Sequence, residues 1–311
     1  MDTVEPTEPP VEDMDNPKSE EPVEDLDNTS RSKPVNDSSI KTPKSTMSYR
    51  EILCITIIII LTPFFFIYDV FYVTPQLFGP FGVTLNAIVC TWITHNILGN
   101  LWACLRKSSL VDTLPLELRT PTKGEEHLWR YCKECERLMP PRSWHCKMCK
   151  CCILKRDHHC NFTGNCIGHN NQRFFLWLTF YLSLGCGLVL VYNFILAWQH
   201  GIVTGNILNL YEIIFLQESM EPNFGFRTAI SMVVYVNLLC LSATILMFTT
   251  EVLMVKRNTV MFDKSNREYD MGVQSNFRQV LGQLQFWTCL SPAINSPLPH
   301  LGTQWKSKKS E

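Results

Sequence analysis

The sequence predicts an α-helical polytopic membrane protein, with four transmembrane helices and a cytosolic two-zinc cysteine-rich domain between helices 2 and 3. Three observations predict it. Apolar runs at residues 52–73, 81–105, 174–198 and 228–255 are each long enough for a span, which needs about 20 apolar residues to cross about 30 Å of hydrocarbon. Lys and Arg are segregated. None lies between Arg50 and Arg106 or across residues 199–226, whereas residues 106–173 are studded with them and Lys256 and Arg257 follow the fourth run. Finally, C-x-x-C pairs interleaved with histidines crowd residues 132–166, a pattern of tetrahedral zinc rather than of packing.

Residues 1–48 are expected to be a disordered acidic tail. They are rich in Pro, Glu, Asp and Ser, and such a composition buries too little apolar surface to offset the entropy of ordering. Within the tail Pro10-Val11-Glu12-Asp13-Met14-Asp15-Asn16 recurs as Pro22-Val23-Glu24-Asp25-Leu26-Asp27-Asn28. Local duplication accounts for this, and a binding motif used twice is the alternative. No basic n-region with an early apolar run precedes the first span, so no cleaved signal peptide is expected.

Residues 49–106 make a hairpin of helices 1 and 2, because the 74–80 connection is too short for a domain. His95, Asn96 and Asn100 are expected to face the bundle interior near the interface. Residues 107–173 are the cysteine-rich domain, 174–255 helices 3 and 4, and 256–311 a C-terminal region. The positive-inside rule puts both termini and the zinc domain in the cytosol. The chain ends Lys308-Lys309-Ser310-Glu311. Two lysines so placed resemble a receptor-read dilysine retrieval signal, which points to the endoplasmic reticulum or Golgi.

Counting ligands gives two Cys3His sets, each for one structural Zn2+ ion. One is Cys132, Cys135, His145 and Cys152; the other is Cys146, Cys149, His159 and Cys166. The sets interleave because adjacent His145 and Cys146 serve different ions, which extended backbone allows by pointing neighbouring side chains opposite ways. The segment is too poor in aliphatic residues to build its own core, so the ions fold it. A disulfide knot is disfavoured in reducing cytosol. Asp157, His158 and Cys160 remain, and they read as orienter, base and nucleophile. An ordinary thiol near pKa ~8.5 is mostly protonated at neutral pH, and an adjacent imidazole and two cations would lower it. A spare ligand is the plain alternative for Cys160. Cys151 has no His/Asp pair beside it and is expected at the surface. A nucleic-acid binder is excluded because the module is bounded by spans and shows no recognition-helix pattern. A thiol oxidoreductase is excluded because the C-x-x-C pairs are consumed as ligands.

Asp157-His158-His159-Cys160 within this frame resembles the DHHC family of protein S-acyltransferases (palmitoyltransferases). The resemblance continues through Asn165-Cys166-Ile167-Gly168, Asn171, Arg173 and Phe175, and covers about residues 50–285. It implies a ping-pong transfer, in which Cys160 takes a long-chain acyl group from palmitoyl-CoA or another acyl-CoA and gives it to a cysteine of a membrane-associated protein. It also implies an acyl cavity lined by third-span residues, with Phe174, Tyr181 and Gly185 as candidates, and a basic contact to CoA phosphates at Arg142. Tyr269, Gly272, Asn276 and Gly282 resemble the family's C-terminal motif. The sequence also departs from the pattern. Phe162 stands for the usual Trp, Asp112 is followed by Thr113 and Leu114 instead of Pro-Gly, and Glu251 comes one residue early after Thr249-Thr250. Arg267-Glu268 replace Asn-Pro before Tyr269, and Met139 replaces a basic residue. None removes a ligand or a member of the trio, so they mark a divergent branch. The alternative is a zinc-bearing membrane scaffold without turnover. No adaptor or protein substrate is named by the sequence.

Overall fold

The computed structural model describes residues 46–200 and 224–308. The acidic repeat, the 201–223 connection and Lys309 therefore lie outside the described residues. All described residues belong to the unit Ile40–Glu311.

Helix α1 (Tyr49–Tyr68) starts at Ser48, whose hydroxyl accepts from the Glu51 N–H at 3.4 Å while the Glu51 carboxylate accepts from the Ser48 N–H. This reciprocal capping box satisfies two donors that the first helical turn leaves open. The helix runs on through a π-helical turn at Asp69–Val73 and a short helix at Thr74–Leu77. Helix α2 (Pro80–Arg106) opens on a proline, whose missing N–H costs nothing there. Helices α3 (Gln172–Gln199) and α4 (Phe224–Arg257) follow the cysteine-rich segment. Four helical stretches among the described residues are long and apolar enough to cross a membrane, as the sequence predicts. Ile60, Phe81, Trp102 and Leu239 stand exposed on them, which suits helices that meet lipid. The protein is accordingly a multi-pass membrane protein.

Helix α3 packs along both α2 and α4. Its Leu176, Leu178 and Tyr181 join Ile97 and Leu101 of α2 and Val255 of α4 in the main core. Val280 and Leu281 of helix α5 (Val273–Leu281) close that core from below. Gly282, which ends α5, has φ +77°, and a Cβ there would stand 2.5 Å from the Ser296 carbonyl oxygen. Only glycine meets both conditions.

The chain after α5 does not leave the spans. Trp92 Nε1 donates to the Leu290 carbonyl at 3.0 Å, Asn96 Nδ2 to the same oxygen at 3.4 Å, and His95 Nε2 lies 3.1 Å from Ser291 Oγ. A Cβ on Gly99 would stand 2.5 Å from Pro292 Cγ, so the approach is close. Trp92 lies about 21 Å along α2 from Arg106 at 1.5 Å per residue. Trp92, His95 and Asn96 thus meet a returning C-terminal segment, while the buried Asn100 donates to the Asn96 carbonyl of its own helix.

The cysteine-rich segment is three two-stranded antiparallel hairpins. β1 (Arg130–Cys132) pairs with β2 (Arg137–Met139), β3 (Trp144–Cys146) with β4 (Cys151–Ile153), and β5 (His158–Cys160) with β6 (Asn165–Ile167). The registers repeat, with Cys132 opposite Arg137, Cys146 opposite Cys151 and Cys160 opposite Asn165. Each turn places one residue in the left-handed region, Glu136 at φ +55°, Lys150 at +56° and Gly164 at +55°. The three hairpins are copies of one turn.

Candidate active site

Strand alternation builds the site. Along β5 successive side chains point to opposite faces, so His158 and Cys160 share one face and His159 takes the other. His159 Nδ1 lies 3.7, 3.3 and 3.6 Å from the Sγ atoms of Cys146, Cys149 and Cys166. In the first cluster His145 Nδ1 lies 3.7 Å from Cys132 Sγ and 3.4 Å from Cys135 Sγ, with Cys135 and Cys152 sulfurs 3.9 Å apart. In each group the ligand atoms lie within 4.8 Å of one another. Sulfurs around a tetrahedral zinc with bonds of about 2.3 Å stand about 3.8 Å apart, so these donor sets fit zinc. Both clusters could hold a metal ion, and they combine the residues in the interleaved way the sequence predicts.

His159 has a further partner. Its Nε2 is 2.7 Å from Glu51 Oε1, and Glu51 is fully buried. A carboxylate behind a ligating imidazole fixes its orientation and raises its basicity. Glu51 is not among the residues singled out in the sequence. The pairing joins positions 108 apart in sequence, which no local signal carries.

On the other face, His158 Nδ1 is 2.7 Å from Asp157 Oδ2, and Asp157 Oδ1 accepts from the Met261 N–H. The His158 ring packs edge-on against Phe175 at 5.2 Å. Burial would lower the His158 pKa, but hydrogen bonds to Asp157 and Cys160 raise it to about 10. Burial raises the Cys160 thiol, yet His158, the Thr163 hydroxyl and the Phe162 N–H together bring it below its ordinary value. The pair therefore rests toward imidazolium and thiolate.

The turn explains those donors. In the second hairpin the Cys149 N–H donates to Cys146 Sγ at 3.4 Å, as in a turn that grips a metal-bound sulfur. The third hairpin keeps the turn but has Thr163 where Cys135 and Cys149 stand in the others. Its first cysteine is left with the donors of a metal-binding turn and no second thiol.

Two further charged groups lie nearby. Lys155 is 1% exposed. Burial and the neighbouring Arg142 lower its pKa to about 7, against Glu251 and Asp157, which raise it. Glu251 accepts from Gln172 Nε2 at 2.8 Å, so the displaced acid is still buried beside the trio.

One sequence expectation is corrected. Cys151 is not at the surface; it is 2% exposed, because all three residues of β4 are buried. Arg142 donates to the Asn258 side chain at 3.0 Å and carbonyl at 2.7 Å. Tyr269 and Trp305 lie 4.7 and 4.3 Å from its guanidinium. An elongated apolar cavity lies between the spans, bordered on α3 by Phe175, Leu178, Leu182 and Gly185. Phe174 and Tyr181 do not border it. Phe174 packs with Cys160, Cys104 and Ile167, and the Tyr181 hydroxyl donates to the Cys289 carbonyl at 2.6 Å.

Residues 125–268 match the family model described as DHHC palmitoyltransferase. The chain is 37% identical over 182 residues to a Danio rerio protein named "Probable palmitoyltransferase ZDHHC24", covering 57% of this chain and 62% of that one. The Homo sapiens protein of the same name is 28% identical over 240 residues, covering 75% and 82%. An Arabidopsis thaliana protein named "Probable protein S-acyltransferase 12" is 34% identical over 165 residues, covering 50% and 52%. The chain thus spans less than two thirds of the length of the first and third of these relatives. The family match takes in all three hairpins together with α3 and α4, so that stretch of the chain is similar to the DHHC palmitoyltransferase family.

Proposed function

We propose that this chain is a protein S-acyltransferase that carries a long-chain acyl group, palmitoyl in the type case, from acyl-CoA through Cys160 to a cysteine of a membrane-associated protein. One observation carries the reading. The hydrogen-bonded series Asp157–His158–Cys160 stands where an apolar cavity begins, marked by Phe162 and Phe175.

Loading starts when His158, oriented by Asp157, holds the Cys160 proton. The thiolate attacks the thioester carbonyl carbon and forms a new C–S bond. The bond to CoA breaks, and the CoA thiolate takes the proton from His158. In the second half the substrate thiol gives its proton to His158 and attacks the acyl-enzyme, and Cys160 leaves. A thioester is exchanged for a thioester at each step, so no ATP is needed. The acyl chain lies along Phe175, Leu178, Leu182 and Gly185, where each buried CH2 contributes about 0.8 kcal/mol. The CoA head stays in water. Arg142 spends two of its five N–H donors on Asn258, joining the first hairpins to the C-terminal region, and keeps the others for a CoA phosphate.

Two Zn2+ ions, held by Cys132, Cys135, His145, Cys152 and by Cys146, Cys149, His159, Cys166, are structural. Each shell is closed by protein ligands. The zinc domain faces the cytosol, as charge segregation suggests.

The test is acyl loading. Purified protein in detergent is given labelled palmitoyl-CoA. A hydroxylamine-sensitive label on the wild type that Cys160→Ser abolishes is the expected result. Folded, zinc-replete wild type that takes no label would instead make the chain a scaffold.

A further inference from the structure

A groove of 630 Å3 crosses the first two hairpins and shares no lining residue with the cavity between the spans. Four of its lining residues are basic, Arg130, Lys133, Lys147 and Arg156, and Glu134 is the one acid among them. None of the four is in an ion pair with a described residue. Lys133 and Lys147 stand at the same place in successive turns, directly after Cys132 and Cys146, and both are exposed. The arginines are seated on rings. Arg130 Cζ is 4.0 Å from the centre of the Trp144 ring and Arg156 Cζ 5.2 Å from that of Phe262, and the two rings lie 4.6 Å apart. A guanidinium laid on a ring keeps N–H donors at its edge for a carboxylate. The rest of the lining offers apolar surface, with Tyr131, Met148 and Phe262 at 55%, 45% and 52% exposed.

The groove lies next to the reacting residues. Arg156 directly precedes Asp157, and Phe262 follows Met261, whose N–H donates to Asp157 Oδ1. Cys160 is four residues beyond Arg156, about 13 Å of extended chain at most. A polypeptide seated in the groove can therefore carry a cysteine thiol toward Cys160. A phosphate alone would meet the cations and leave the apolar side chains in water. A segment that brings carboxylates and apolar side chains together satisfies both, pairing with the guanidinium and ammonium groups while covering Tyr131, Met148 and Phe262. We propose that the groove docks the acyl acceptor, and that the preferred acceptors are proteins whose target cysteine lies beside an acidic segment interspersed with apolar residues. The proposal rests on the acyltransferase reading and deepens it by naming the acceptor class. The transfer itself is unchanged: the acceptor thiol passes its proton to His158, its sulfur bonds to the acyl carbon, and the bond from that carbon to Cys160 breaks.

The test separates the two halves of the reaction. Full-length protein in detergent is loaded from labelled palmitoyl-CoA, and the acyl-enzyme is then given one of three synthetic peptides. Each has a single cysteine and the same leucines, with the remaining flanking positions Glu, Gln or Lys. The Glu peptide should take the label with a half-saturating concentration about tenfold below that of the Gln peptide, and the Lys peptide should be the poorest. Lys133→Gln combined with Lys147→Gln should bring the Glu and Gln peptides within about twofold of each other, with palmitoyl-CoA loading and zinc content reporting that the variant is folded. Should that variant lose zinc, Arg130→Gln makes the same comparison. Equal transfer to the Glu and Gln peptides by wild type, a preference for the Lys peptide, or a preference for Glu that survives in the folded variants overturns the docking groove and leaves the acyltransferase reading intact. A variant that instead needs more palmitoyl-CoA for loading assigns the groove to the CoA head and overturns acceptor docking. Folded wild type that takes no label from palmitoyl-CoA overturns the acyltransferase reading, and the docking groove with it.

Discussion

At the scale of residues, the chemistry follows from placing three side chains by strand alternation. Asp157 and His158 are paired at 2.7 Å, and His159 points away to its thiols. His158→Ala should therefore slow acyl loading by about 10²–10⁴-fold while the protein stays folded and keeps its full zinc content by metal analysis. Loss of an ion would show that the two histidines are exchanged in role. Glu51→Gln retains a capping residue but weakens the support behind His159. One of the two zinc ions should then bind about 10–100-fold more weakly, seen as biphasic release to a chromogenic chelator. The two Cys/His clusters were legible because their C-x-x-C pairs and histidines lie in one short stretch of sequence. Glu51 was not, since its partner is far along the chain. Thr163 was legible only to a reader who aligned the cysteine pairs with one another, when its place as the absent second cysteine becomes visible.

At the scale of elements, three hairpins of identical turn geometry make up a region whose sequence reads as a loop. Strands of three residues are too short for alternation to register, so ligand spacing is the only sign of them. Helix α5 shows the opposite case. Asn276 is fully buried, donating to the Lys256 carbonyl at 2.9 Å and Asp270 Oδ1 at 2.7 Å and accepting from the Met271 N–H at 3.1 Å. In the sequence Asn276 is marked by its resemblance to a family motif, and its place shows a buried amide tying loops together. Asn276→Ala strands those partners and should cost about 2–4 kcal/mol, read as a lowered unfolding temperature in detergent. Of the α3 residues offered for the cavity, Gly185 borders it and Phe174 and Tyr181 do not, because a helix in a bundle is apolar all round and its periodicity does not say which side chains meet which neighbour.

At the scale of the whole molecule, the four spans and the intervening zinc-binding region were readable from hydropathy and cysteine spacing. The return of the C-terminal region was not. Part of that region packs on the cysteine-rich segment. His169 Nε2 donates to the His300 carbonyl at 2.9 Å, their rings stack at 5.0 Å, and Trp305 closes on His300 at 4.3 Å. Burial is the main cause that lowers the His169 pKa to about 3 and that of His300 to about 4. Both values lie below the unfolded value near 6.5, so the unfolded tail binds more protons over that interval. The stabilisation is complete above about pH 6.5 and is lost as pH falls toward about 3. Limited proteolysis of the tail should accelerate as pH drops through that window, and a rate that stays flat would remove the histidines from the contact.

The return of residues 290–292 to α2 also sets an order of events in biosynthesis. Trp92, His95 and Asn96 leave the ribosome nearly two hundred residues before the Leu290 carbonyl and Ser291 hydroxyl that they meet. Until the last stretch is made, the second span stands in the bilayer with its polar face uncovered. A truncation that spares every catalytic residue and zinc ligand would leave that face bare for good, and such a chain would be handled by the cell as an unfinished protein.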